Sequence, residues 1–430
     1  MKINEFMIAF QAMEMKNELF DVQYNGENVW DIVRYNVFQA LQKQYEPIAT
    51  KNSIKKTIKS SLSLVLKLIF LTRIKFKKND VLFCKTSRTL SNRNYVDEYS
   101  KPILDRIDKK RVAEIELYHL ANSNANARFL FNYSLKKYLP ETIVESFLKA
   151  INESFHSLCQ EEVIISAMQE AYSKYLSERR FYDLLFKCSG IKKVFLVQNG
   201  IQKGLISAAK SRGVKVTELQ HGYVGFTHPV YSYPALTNSH SVYLPKEFWV
   251  FSEFWTKEIN MPGTQFKVIG HELKDVTLAS NDTILFISRN NHHEVLKDYL
   301  YLLDQEVGRK IIYKLHPNQF FDSDLIKNEF SDCKNVKVVT DEVTLSDCIK
   351  ESSDIVCIQS TVVYEALQSN RKVICIKECD FIQSSTLEKI GNYYVVEDEK
   401  SMIDIINNNK TQELKVQFFD VINNELVSEI

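Results

Sequence analysis

Short apolar runs alternating with helical stretches leave this chain few architectures. Runs at 81–85, 113–120, 192–197, 214–219 and 248–251 are too short for helices and too apolar for exposed strands. A second series follows at 283–288, 310–315, 336–340, 354–358 and 372–376. Strands buried on both faces with helices between them indicate parallel sheets. Residues 202–212 supply the helix of one βαβ unit. Segments around 294–307, 345–352 and 361–369 play the same part in the second series, where about five strands are expected. The prediction is an α/β chain with two Rossmann-like, doubly wound domains facing a cleft. The expected divisions are a helical N-terminal segment 1–78, a first domain 79–272 and a second domain 273–430. In the N-terminal segment Trp30, Val33, Val37 and Leu41 recur at helical spacing. Residues 141–189 contain neither Gly nor Pro and read as long helices.

Charge is unevenly spread. The formal net charge is +1, yet residues 51–78 carry nine Lys or Arg and no acid, so that segment holds +9 and the rest of the chain −8. Its apolar run 62–71 is broken by Lys67 and is too short to span a bilayer. An amphipathic basic segment suits the surface of an anionic membrane, and a core helix with a solvated basic face is the alternative. No nucleic-acid partner is expected. Cysteines at 84, 159, 188, 333, 348, 357, 375 and 379 form no CxxC pair and lie mostly in apolar runs, as buried reduced thiols do. With no cleavable signal pattern, the expectation is a cytoplasmic chain, peripheral on the inner face of the membrane.

Glycine is scarce except in one place. Only Gly26 precedes residue 190, whereas six glycines fall between 190 and 225. Such clustering at the ends of parallel strands is where this architecture puts ligands. Within it, Glu218-Leu219-Gln220-His221-Gly222 follows a strand, so His221 is expected to project from the strand's carboxyl end. A neutral imidazole suits deprotonation of a hydroxyl; Glu218 is a second candidate base or a structural partner. His228 and Tyr231, in the loop that follows, are acceptor-side or loop-ordering candidates, with Gly222 beside them.

The second series carries an anion-binding pattern. Lys314-Leu315-His316-Pro317 ends one strand, and either ends it or offers His316 to a leaving phosphate. Ser360 and Thr361 sit where another strand gives way to a helix, and Glu365 lies one turn on, placed to accept from ribose hydroxyls. An N-cap followed by an exposed acid would look the same. Arg289, directly after a strand, is a further phosphate candidate. Asp322-Ser323-Asp324 reads as solvated surface, and no metal or Gly-rich nucleotide motif is present.

These motifs, in this order, resemble the two-domain GT-B glycosyltransferases of the bacterial capsule and surface-polymer type, including polysialyltransferases and, more distantly, CDP-glycerol glycerophosphotransferases. Gln220-His221-Gly222 resembles the His-Gly segment of the glycerophosphotransferase group, and Lys314–Pro317 resembles their His-Pro motif. Ser360-Thr361 with Tyr364-Glu365 is similar to their Ser-Ser motif and the acid after it. Val268-Ile269-Gly270 resembles the junction before their second domain. Val29-Trp30 with Arg34-Tyr35 is similar to a segment of capsule transferases. The ordered motifs cover roughly 190–380. The polysialyltransferase pattern has an acid before the glycine where this chain has His221, which makes His221 the expected base. The resemblance implies an inverting, metal-independent, cofactor-free transfer from a nucleotide-sugar donor to a lipid-linked or polymeric glycan acceptor. Arg289, Lys314, His316, Ser360, Thr361 and Glu365 would bind the donor. Rival readings are a CDP-polyol phosphotransferase, a non-hydrolysing sugar-nucleotide epimerase and an inactive scaffold of a capsule assembly.

Overall fold

The computed structural model describes the chain outside residues 1–2, 46–68, 75–78, 88, 92–93, 118–137, 156–159, 237–241, 273–281, 290–291, 359, 378–386, 388–389, 409–413 and 415. It forms two compact units. The first contains Asn4–Phe251, Trp255–Ile269 and Ile422–Ile430; the second is built on Gly270–Val421 with Ser252–Phe254.

Two helices open the first unit, α1 (Ile3–Lys16) and α2 (Val29–Tyr45), joined through the hairpin β1 (Gln23–Tyr24) and β2 (Glu27–Asn28). The central sheet contains β3 (Val81–Lys85), β6 (Val112–Glu116), β7 (Lys193–Val197), β8 (Lys215–Leu219), β9 (Glu247–Val250) and β10 (Gln265–Val268). Between β3 and β6 lies a second small hairpin, β4 (Thr89–Ser91) and β5 (Asn94–Val96). The spatial order β10-β9-β8-β7-β3-β6 is parallel throughout, and the direction of winding reverses between β3 and β7. Helices Glu141–Phe155 and Glu161–Cys188 cover one face, the latter 28 residues long.

The segment expected to stand apart, 1–78, is divided by the structure. Phe6, Phe10, Trp30, Val33, Val37 and Leu41 are fully buried, so α1 and α2 belong to the core of the first unit. Rings of Phe6 and Phe10 each meet Phe38 at 5.1 Å, and Trp30 meets Phe147 at 5.0 Å. Each fully buried ring of this kind stabilises the fold by roughly 1.5–3 kcal/mol. Most of the basic stretch 51–78 lies outside the described residues. Of its described part, 69–74, Phe70 and Ile74 are buried in this same core. No described helix is long and apolar enough to cross a membrane.

In the second unit the strands are β11 (Thr283–Ile287), β12 (Lys310–Lys314), β13 (Val336–Val339), β14 (Asp354–Cys357), β15 (Lys372–Ile376) and β16 (Tyr393–Val396). Their order, β13-β12-β11-β14-β15-β16, is again wholly parallel, with the reversal between β11 and β14. This is the 3-2-1-4-5-6 order of doubly wound nucleotide-binding sheets. It holds six strands where the sequence suggested about five. Missing from the sequence reading was β16, whose burial alternates incompletely and whose run is only four residues.

The chain does not end in the second unit. Ile422–Ile430 returns to the first, where Ile422, Leu426 and Ile430 pack with Val81, Phe83, Phe195 and Trp249. Gly270 stands at the outgoing crossing with φ +81°, and a Cβ there would lie 2.2 Å from the Val421 carbonyl oxygen. Gly270→Ala is therefore expected to lower the unfolding midpoint by more than Gly213→Ala. Gly213 also has positive φ (+67°) but nothing within 4 Å of a Cβ. The strain alone costs about 1 kcal/mol, and only position 270 adds a backbone collision; equal midpoints in a thermal melt would contradict this.

Candidate functional site

In the first unit the site is assembled where β8 ends. Gln220 continues the ladder by donating its N–H to Trp249 O (3.0 Å), while its side chain accepts from Phe251 N (2.8 Å) and donates to Gly222 O (2.9 Å). Those bonds fix the turn on which half-buried His221 and Gly222 sit. Glu218, one strand position inside, is fully buried. Its carboxylate accepts from Asn199 N (3.1 Å), Asn199 Nδ2 (2.6 Å) and the Tyr231 hydroxyl (2.8 Å). Burial outweighs these donors and pushes its pKa up to about 7.

The Tyr231 hydroxyl also lies 3.4 Å from His221 Nδ1. While Glu218 is ionised the Tyr231 proton goes to it, and the hydroxyl then accepts from Nδ1–H. That selects the tautomer whose lone pair is at Nε2. The result is a hydrogen-bonded chain His221–Tyr231–Glu218 at the carboxyl end of β8. The Tyr231 ring is held by stacking on Phe248 (5.2 Å, 5°) and against His228 (4.7 Å). His228 in turn stacks on Tyr35 (6.1 Å, 13°) and accepts from Val230 N at Nδ1 (3.3 Å). Desolvation, with the Arg34 charge second, lowers the His228 pKa to about 4, so it stays neutral. It orders the loop.

Sequence reasoning gave no structural role to the groups that set this loop, although Arg34 lies in the segment similar to capsule transferases. Arg34, buried on α2, donates to the carbonyls of Pro229 and Ser232 (the latter at 3.0 Å). The same guanidinium grips Glu14 of α1 with Nε–Oε1 2.5 Å and Nη2–Oε2 3.0 Å, and Trp30 Nε1 adds a bond to Glu14 at 2.7 Å. Lys203, at the start of helix Lys203–Ser211, is buried against Asp31 (3.2 Å), Tyr233 OH (2.9 Å) and Tyr243 O (2.9 Å). At the end of β7, Gln198 takes a left-handed conformation (φ 65°) and donates to Tyr35 OH (2.8 Å). Such strain is held only where the surroundings over-determine it. Beside it, the buried Asn199 Oδ1 and Gln202 Oε1 have no hydrogen-bond partner among the described residues.

In the second unit the reversal of winding brings Arg289, after β11, between His316, after β12, and the end of β14. Arg289 is half-buried, makes no ion pair among the described residues, and is near enough to act electrostatically on both His316 and Cys357. Burial first, and that positive charge second, lower the His316 pKa, so its imidazole is neutral and has one ring N–H that can donate a hydrogen bond. Gln319 positions the loop. Its Oε1 accepts from His316 N (3.1 Å) and Ser288 Oγ (2.6 Å), and Tyr313 OH donates to Ser288 (3.1 Å). Half-buried Ser360 accepts from Val362 N through Oγ (3.3 Å), while Thr361 is exposed. Glu365 lies half-buried on the short helix Val362–Gln368.

Lys314 does not join this group. Its ammonium is bonded to the carbonyls of Thr340 and Val343 (the latter at 2.6 Å), so it fastens the turn after β13 instead of facing an anion. Asp322 and Asp324 are exposed.

No family model matches the chain, and no curated protein matches it. Solved structures similar to it include the UDP-GlcNAc 2-epimerase of Methanocaldococcus jannaschii in complex with UDP-GlcNAc and UDP (10% identity, 81% of this chain and 98% of that one, TM-score 0.47). Two others are the calicheamicin glycosyltransferase CalG4 (11%, 77% and 91%, 0.49) and Acinetobacter baumannii MurG (11%, 81% and 92%, 0.42).

Removing Arg34 leaves Glu14 buried without its cation, which costs about 3–5 kcal/mol. Arg34→Ala is therefore expected to lower urea stability by that order and to open 228–234 to limited proteolysis. Unchanged protection of the loop would show that Arg34 does not hold it.

Proposed function

We propose that the chain is a nucleotide-sugar-dependent transferase that moves a glycosyl group to a hydroxyl of a surface-glycan acceptor. The observation that carries this reading is the chain His221–Tyr231–Glu218. It leaves an imidazole lone pair at the end of a parallel strand and backs it with a buried acid. His221 Nε2 takes the acceptor proton as the hydroxyl attacks. Tyr231 and ionised Glu218 stabilise the imidazolium that forms, as the acid does in a Ser-His-Asp triad. Arg289 and His316 meet the developing charge on the departing nucleotide's phosphate, and Glu365 takes its ribose. Inversion, the basic segment's membrane contact and the capsule-type acceptor belong to the same proposal and come from the sequence motifs.

The pH dependence has a definite sign. Glu218 is raised, so below about pH 7 it is protonated and cannot stabilise an imidazolium. Activity should therefore climb through about pH 7 and level off above it. Glu218→Gln and Tyr231→Phe should flatten that limb, and His221→Ala should cost about 10²–10⁴-fold in kcat. A limb that stays in place in Glu218→Gln would remove Glu218 from the relay. Arg289→Ala and His316→Ala should weaken nucleotide binding with smaller effects on stability, read from thermal shifts with UDP, CMP, GDP and CDP. Release of CMP from CDP-glycerol would turn the reading to polyol-phosphate transfer.

One feature favours a second reading. A buried carboxyl poised near neutrality is also what proton exchange at a sugar carbon needs, as in a sugar-nucleotide epimerase. Deuterium entering a UDP-sugar from D2O in the absence of any acceptor would establish it and displace transfer.

A further inference from the structure

We propose that a cavity on the first unit, separate from the His221–Glu218 site, binds a stretch of anionic saccharide chain. The cavity measures about 440 Å³ and lies between the β1–β2 turn, Tyr138 and one face of helix Glu161–Cys188. That volume is in the range of small-molecule sites. None of its lining residues takes part in the hydrogen-bonded chain at β8.

Its chemistry is aromatic, hydroxylic and cationic at once. Half-buried Tyr24 presents its ring at the cavity, backed by the buried Tyr172 ring 6.2 Å behind it and inclined at 48°. One ring face of this kind can pack against the C–H face of a puckered ring. Tyr138 is 58% exposed at the cavity, an aromatic body left in water. The Tyr24 and Tyr138 hydroxyls offer donors and acceptors to a polyhydroxylated ligand. The charges do not cancel. Asp183 is gripped by Arg212 at 2.7 and 2.8 Å, which holds its carboxyl below the usual range, and Arg179 is paired with Glu27. Arg180, exposed on the same helix face, has no ion pair among the described residues. One guanidinium thus remains to meet an acid on the ligand.

The saccharide class rests on the transferase reading, because a growing chain must be held somewhere besides its reacting end. The acid on the chain is either a ring carboxylate or a backbone phosphodiester. Calorimetric titration of the full chain with an oligogalacturonate, a poly(glycerol phosphate) fragment, maltoheptaose and inorganic phosphate separates these. One charged chain is expected to bind, and Tyr138→Ala and Arg180→Ala should each weaken it by about tenfold, roughly 1.4 kcal/mol. UDP, CMP, GDP and CDP binding should be unchanged in both variants, and circular dichroism should show both folded. Binding of neither charged chain, equal binding of maltoheptaose or of phosphate alone, or equal affinity in the variants would overturn the proposal. A charged chain bound at this cavity by a protein that binds no nucleotide would uphold the cavity and sink the transferase reading instead.

Discussion

The Arg34–Glu14 ion pair is the constraint on which the first unit's site depends. Both groups are almost completely buried, so the pair persists only because every strong bond is made. The guanidinium has donors to spare beyond Glu14, and it spends them on the Pro229 and Ser232 carbonyls. One side chain thereby ties α1, α2 and the loop 228–234 together. The Lys203–Asp31 pair repeats the device, since Asp31 also accepts from Tyr233 OH (2.7 Å) and Tyr243 N (2.6 Å). With the loop fixed at both ends, the Tyr231 hydroxyl has one place to go, between Glu218 and His221. Two helices at the start of the chain thus set the tautomer of a histidine nearly two hundred residues later.

The second unit reaches its geometry by topology instead. Parallel winding away from β11 in both directions leaves a gap in the helical cover at the β11–β14 reversal, and Arg289 stands there between His316 and the end of β14. The helix beginning at Val362 is short and its first turn is served by Ser360 Oγ, so in the proposed reading the attraction for an anion would come chiefly from the Arg289 guanidinium, with the neutral His316 beside it.

Buried strands were legible because each is a compact apolar run bounded by polar residues; β11, β12, β14 and β15 sit within a residue of the expected ends. The edge strands β10 and β16 were not, since β10 has no buried residue, β16 is buried only at Tyr393 and Val396, and neither carries a period to read. Glu218, His221 and Tyr231 were visible because they lie within fourteen positions on one strand and its loop. Arg34, Asn199 and Lys203 come to them only through tertiary packing, and in sequence each looks like an ordinary helix or loop residue. Arg34 was marked by the resemblance of its segment to capsule transferases, but not by any local pattern. Lys314 misled for a related reason: a lysine at a strand end next to a His-Pro looks phosphate-directed, and only the position of the β13 turn shows its carbonyl partners.

The most direct test of the account is the protonation of one imidazole. In ¹⁵N-histidine-labelled protein near pH 8, the His221 resonances should show Nδ1 protonated and Nε2 carrying the lone pair, and Tyr231→Phe should abolish that preference. A His221 protonated at Nε2 in the unmodified chain, or a tautomer indifferent to Tyr231, would contradict the relay.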